Sequence, residues 1–141
     1  MGDPSQWAAW AAAVTSMATL VVTTVVGGRR EQRTWARDAL TDAFVGFLEA
    51  SWAHSDAMKA LSGDQPGPGA RAEEHYAEMR SRLTRLRLLA SAQVLEAGQE
   101  LLRRQRAVQE APPGAGREQA LEEAALARRR VVAAAKREMG L

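Results

Sequence analysis

The chain is 141 residues long, with 29 alanines, 17 arginines against 2 lysines, and no cysteine. The lack of cysteine excludes disulfides, thiolate metal sites and cysteine nucleophiles. A formal net charge of +2 is too small to argue for a nucleic-acid partner on charge alone.

The first element is a run of 20 residues, positions 7–26, that carries no charged side chain. A helix of that length is about 30 Å long, the thickness of the hydrocarbon core of a bilayer. Its five valines and one leucine favour insertion by about 2–4 kcal/mol, with Ala and Thr adding little. Trp7 and Trp10 stand at one end, where indole rings favour the headgroup interface, and Trp35 lies just past the other. Arg29, Arg30, Arg33 and Arg37 follow the run and no Lys or Arg precedes it. The positive-inside rule therefore predicts one transmembrane helix, with residues 1–6 outside and residues 27–141 as a cytoplasmic helical domain at the inner membrane.

Three other readings of the run are weaker. A cleaved signal peptide wants a basic start and a small-residue cleavage site, and Asp3 and Gly27-Gly28-Arg29-Arg30 supply neither. A buried soluble helix fits the Ala and Thr content but not the chargeless length. Myristoylation at Gly2 wants Ser or Thr where Gln6 stands. Within the run, Ala11, Thr15, Thr19 and Thr23 recur every four residues, a small-residue stripe through which two such helices can approach closely in the membrane.

Beyond Gly27-Gly28, where near-continuity of the helix is expected, two turn clusters divide the chain. They fall at residues 62–69 and 111–116, where Gly and Pro are too dense for a helix to continue. No stretch alternates with period two, so the reading is all-α. A first long helical region, 29–61, places Leu40, Phe44, Phe47, Ser51, His54, Met58 and Leu61 on one seam at 4-3 spacing, widened by Trp35, Leu48 and Trp52. The second region, 70–110, carries Tyr76, Met79, Leu83, Leu86 and Ala90, then Val94, Ala97, Leu101 and Val108. Its register slips near Ala90, and Ser91 is a fitting N-cap, so a break is expected at 89–91. The third region, 117–139, aligns Leu121, Ala125, Arg128, Val132, Ala135 and Met139, with Gly140 closing it. Short connections make antiparallel neighbours, hence a small helical bundle behind one membrane helix.

No phosphate-binding loop, metalloprotease, hydrolase-elbow or Glu-x-x-His motif occurs. His54 falls on the apolar seam and reads as a hydrogen-bonded core residue; His75, beside Glu73 and Glu74, reads as a solvated helix start. Asp38 and Asp42 lie one turn apart but have no third oxygen ligand near them. Neither an enzyme nor a metal or cofactor site is expected. The arginine runs around 80–87, 103–106 and 128–130 read as a charge-laced outer face, with Glu78–Arg82 and Glu100–Arg104 in the favourable order for helix pairs. They could also touch anionic lipid. Nucleic acid is disfavoured because no aromatic residues interleave with them.

Arg29-Arg30-Glu31-Gln32-Arg33, Trp35-Ala36-Arg37-Asp38, Phe44-Val45-Gly46-Phe47-Leu48-Glu49-Ala50 and Leu88-Leu89-Ala90-Ser91-Ala92-Gln93-Val94 together resemble a loose family of small, mostly uncharacterised actinobacterial single-pass membrane proteins. Members have an Arg-rich neck and cytoplasmic helical hairpins. The closing segment 121–140 is similar as well, although Ala92 stands where that family often carries Pro. The resemblance implies a membrane location and a helical fold, and no activity. The expected function is a single-pass, membrane-anchored helical interaction or scaffolding protein, self-associating or with a protein partner. The alternatives are a small membrane-disrupting effector of holin or toxin type, or a tethered basic domain that binds anionic lipid or nucleic acid.

Overall fold

The computed structural model describes the backbone of residues 4–61 and 68–141, and the side chains of residue 28 and of 31–61 and 68–141. Four helices follow one another: α1 (Pro4–Lys59), α2 (Gly69–Leu89), α3 (Ala92–Glu110) and α4 (Ala115–Met139). The described residues include no strand. Residues Met1–Arg37 and Asp38–Leu141 form two units, taken separately below.

In the first unit the backbone is helical from Pro4 onward, through Gly27-Gly28. The expected span at residues 7–26 falls where the side chains lie outside the described residues, and so do Trp7, Trp10, Ala11, Thr15, Thr19, Thr23, Arg29 and Arg30. Among the described residues, no helix is long and apolar enough to cross a membrane. Arg33 and Arg37 are exposed, and Trp35 is 69 % exposed. Trp35 therefore does not widen the apolar seam as its spacing suggested.

The second unit is a four-helix bundle whose chain directions follow from paired residues. Thr41 Oγ1 donates to Met139 Sδ at 3.6 Å, and Arg128 Nε donates to Ser51 Oγ at 3.0 Å, so α1 and α4 run antiparallel. Arg104 of α3 meets Glu123 of α4 at 2.8 Å, the second antiparallel pair. The guanidinium of Arg82 lies against Gly46, and Met58 packs with Ala72, which makes α2 antiparallel to α1. Leu40, Phe44, Phe47, Met79, Leu83, Leu86, Val94, Leu101 and Val131 fill the main core. Close to Gly98 the helices crowd: a Cβ there would meet Leu83 Cδ1 at 2.9 Å and Phe47 Cε1 at 3.7 Å. A side chain at this crossing would force the end of the Leu83 side chain to shift.

The seams expected in the first two regions are present. Leu40, Phe44, Phe47, Ser51, His54 and Met58 are buried, as are Tyr76, Met79, Leu83 and Leu86. Trp52 is half exposed and Leu48 half buried, so the first seam is narrower than its spacing suggested. The second region breaks at Ala90-Ser91 and the backbone stays helical through Gly27-Gly28, as expected, so the described residues form four helices. Ser91 has an extended backbone and its hydroxyl accepts from the Val94 N–H at 3.5 Å. The α4 stripe differs from expectation. The buried positions are Arg117, Ala124, Ala127, Val131, Ala134 and Ala135; of the expected stripe only Ala135 is among them, and Leu121, Ala125, Arg128, Val132 and Met139 are only partly buried. Small alanines let α4 approach closely, and the larger side chains turn toward its edges. Gly140 takes a left-handed conformation, φ 73°, and ends the helix.

Candidate functional site: a polar network between three helices

Five polar residues meet inside the bundle. Ser51, His54 and Gln105 are fully buried, Ser55 nearly so, and Arg128 partly. The α1 seam brings Ser51, His54 and Ser55 to one place because they lie three and four residues apart on adjoining turns. Gln105 comes across from α3. Its side-chain Oε1 accepts from His54 Nδ1 at 2.6 Å, and its Nε2 donates to Ser51 Oγ at 2.7 Å, to the Ser51 carbonyl at 3.1 Å and to Ser55 Oγ at 3.2 Å. Arg128 closes the network from α4, donating through Nε to Ser51 Oγ at 3.0 Å and through Nη2 to Ser55 Oγ at 2.8 Å. The geometry fixes the tautomer: an amide oxygen can only accept, so His54 carries its proton on Nδ1. Nε2 is left without a hydrogen-bond partner.

The electrostatics follow from burial. Loss of hydration holds His54 below the ordinary imidazole pKa, with the bond to Gln105 opposing and the positive charge of Arg128 adding to the depression. Burial also lowers Arg128, against the pull of Asp56. The guanidinium lies 5.7 Å from the centre of the Trp52 ring, a cation–π contact at the bundle's edge. Arg106 sits 5.7 Å from the Tyr76 ring, which itself is tilted against His54 at 6.0 Å.

Chemically, this arrangement holds register. Both serine hydroxyls face donors from Gln105 and Arg128, and the one imidazole nitrogen with a bond spends it on Gln105. A helix slid by one residue relative to another would strand several buried donors at about 1–3 kcal/mol each.

Other features expected from the sequence take their places around this centre. His54 is the buried, hydrogen-bonded residue its spacing suggested. His75 is only half exposed, with Nδ1 buried and unpartnered, which corrects its reading as a solvated residue. Asp38 and Asp42 are exposed. Among the described residues, no cluster of His, Asp or Glu could hold a metal ion. Arg82 pairs with Glu78, and Glu100 binds both Arg103 and Arg104, the outer-face pairs the spacing implies. Arg33 and Trp35, expected at the membrane interface, are exposed.

Gln105 is hidden in an arginine run that resembles an outer face, and Arg128, although aligned with the α4 stripe, opens another such run. A signal existed for Gln105. Positions 94, 98, 101, 105 and 108 follow a 4-3-4-3 spacing, and all five are buried; Gly98 and Gln105 fill the gaps between the apolar members. At the far end, Gln109 and Arg117 are also buried, and Gln109 Nε2 and Arg117 Nε and Nη2 have no hydrogen-bond partner.

No protein-family model matches the chain, and no match is found among curated proteins or solved structures.

Proposed function

We propose that the chain is a membrane-anchored helical interaction or scaffolding protein with a single span at residues 7–26 and no catalysis of its own. The uncharged run of 20 residues followed by four arginines carries this reading. It is supported by a helical backbone throughout the run, since a helix satisfies its own peptide groups where water is absent. The polar side chains of the bundle support the second half of the reading, because they are spent on one another in holding three helices in register. The resemblance to small single-pass proteins with an arginine neck points the same way. Fractionation is the test. Full-length protein should stay with membranes through high-salt and carbonate washes, leave them in detergent, and place a C-terminal reporter in the cytoplasm. Protein recovered in the soluble fraction without detergent would end the proposal.

A second reading, contact with anionic headgroups, is favoured by one observation: Leu88 is 84 % exposed beside exposed Arg85 and Arg87. A polarity-sensitive dye at Leu88→Cys should then blue-shift on vesicles containing anionic lipid, and salt should reverse it. An unchanged spectrum argues against that contact.

A further inference from the structure

Helices α1 and α4 lie side by side, and each turns a charged stripe outward. On α1 the exposed positions repeat at 4-3 spacing through Asp38, Asp42, Val45, Glu49, Trp52 and Asp56. Acids dominate it, with Val45 and Trp52 47 % and 49 % exposed. On α4 the exposed charges are acidic near its start, at Glu118 and Glu122, then basic at Arg129, Arg130, Lys136 and Arg137 before Glu138, with Leu126 52 % exposed and Ala133 among them. A groove of about 350 Å³ separates the stripes, lined by Trp52, Ala125, Arg128, Arg129 and Val132. Arg82, Arg103, Arg104 and Arg106 each pair with a carboxylate of the same chain. Asp42, Glu49, Arg129, Arg130, Lys136 and Arg137 enter none of the ion pairs among the described residues.

We propose that this α1/α4 face docks onto the same face of a second copy of the chain, α1 of each copy against α4 of the other. The proposal rests on and deepens the anchored reading above and relates the two copies by a two-fold axis parallel to α1 and α4 of the bundle. Rotation about that axis carries each residue to the same height in the second copy, so α1 of one copy meets the level stretch of α4 of the other. The contacts Thr41–Met139 and Ser51–Arg128 show that level positions on the two helices have numbers adding to about 180. Glu49 therefore comes level with the neighbourhood of Arg129 and Arg130 in the second copy, and Asp42 with Lys136 and Arg137. Each offset is one or two residues, about 1.5–3 Å of rise, well within the reach of an arginine side chain. Pairing α1 with α1 would instead set acid against acid. The face is about 33 Å long and about 20 Å wide, about 660 Å² in plan and toward the small end of the ~800 Å² per partner of an ordinary stable interface. Trp52 and Arg128 lie near its middle, and these are residue types that carry binding energy at such centres.

The full-length chain in detergent micelles provides the test, by sedimentation equilibrium. Wild type should dimerise. Glu49→Arg alone, or Arg129→Glu with Arg130→Glu, should weaken dimerisation roughly tenfold or more, and the three reversals in one chain should restore it. All three positions are exposed, so helicity by circular dichroism should stay unchanged in every variant. Because the chain has no cysteine, a mixture of Glu49→Cys and Ala133→Cys chains should cross-link between copies. A wild type that stays monomeric overturns the proposal. So does a dimer indifferent to the reversals, which leaves anchoring intact and moves pairing to another surface. Failure of the anchored reading shows separately, as protein that washes off membranes.

Discussion

Replacing Gln105 by leucine keeps the bulk of the side chain in place but strips the network of its centre. The His54 Nδ1–H loses its acceptor and the Ser51 carbonyl loses a donor, both inside the core. The carbonyl keeps Arg128 Nη2 at 3.5 Å, so with the imidazole N–H stranded at about 1–3 kcal/mol, Gln105→Leu should lower unfolding stability by about 1–3 kcal/mol, read as a shift in the denaturation midpoint with unchanged slope. A change below about 0.5 kcal/mol would mean the network holds nothing. The same site sets a pH dependence. His54 is held neutral in the fold with its pKa below the ordinary 6.5, so the unfolded chain binds the proton first as pH falls. Stability contributed by the neutral imidazole is thus complete above about pH 6.5 and lost as pH drops from there toward the lowered folded value. Unfolding midpoints taken from pH 8 to about pH 5 should be flat at first and then decline. His54→Gln, which cannot titrate, should lose that part of the decline; an identical profile in the variant removes His54 as its source.

The helices differ in how plainly their residues announce them, and the difference is physical. α3 begins where it is expected because Ser91 is a strong N-cap beside a register slip. The α1 and α2 seams were legible because Phe44, Phe47, Met79 and Leu86 contrast sharply with the charges around them. The buried face of α4 is harder to read because alanines dominate its middle: Ala124, Ala127, Ala134 and the expected Ala135 pack inside while Ala125 and Ala133 do not. Alanine carries too little hydrophobic contrast to choose a face, and only proximity to α1 and α3 decides it. The partner of the α3 start was equally hidden, since it comes from 47 residues away. Glu138 accepts from the Ser91 N–H and from its hydroxyl, both at 2.9 Å, fixing the end of α4 to the α2–α3 turn. Ser91→Ala should cost about 1 kcal/mol as a lost cap, and Glu138→Ala about 0.3–1 kcal/mol as a carboxylate lost from a helix N-terminus. Because Glu138 acts through Ser91, the double variant should fall short of the sum. Strict additivity in thermal melts would show that the two act independently.

At the scale of the whole molecule, the span and the outward face would reinforce each other. An interface of ordinary size with charges at its edges gains most when both copies are already confined to a surface and oriented alike, because anchoring has met part of the entropic cost of association beforehand. The face can then be weak in bulk and still be filled in a membrane. This separates two kinds of dilution. In proteoliposomes holding Glu49→Cys and Ala133→Cys chains, adding buffer at a fixed lipid-to-protein ratio leaves the density of copies on the surface unchanged, and the cross-linking yield should not move. Adding lipid tenfold at constant protein thins the copies within the bilayer, and the yield should fall severalfold. A yield that tracks bulk volume would mean the copies meet through water, and neither the tether nor the shared height of Glu49 and Arg129 would then govern their encounter.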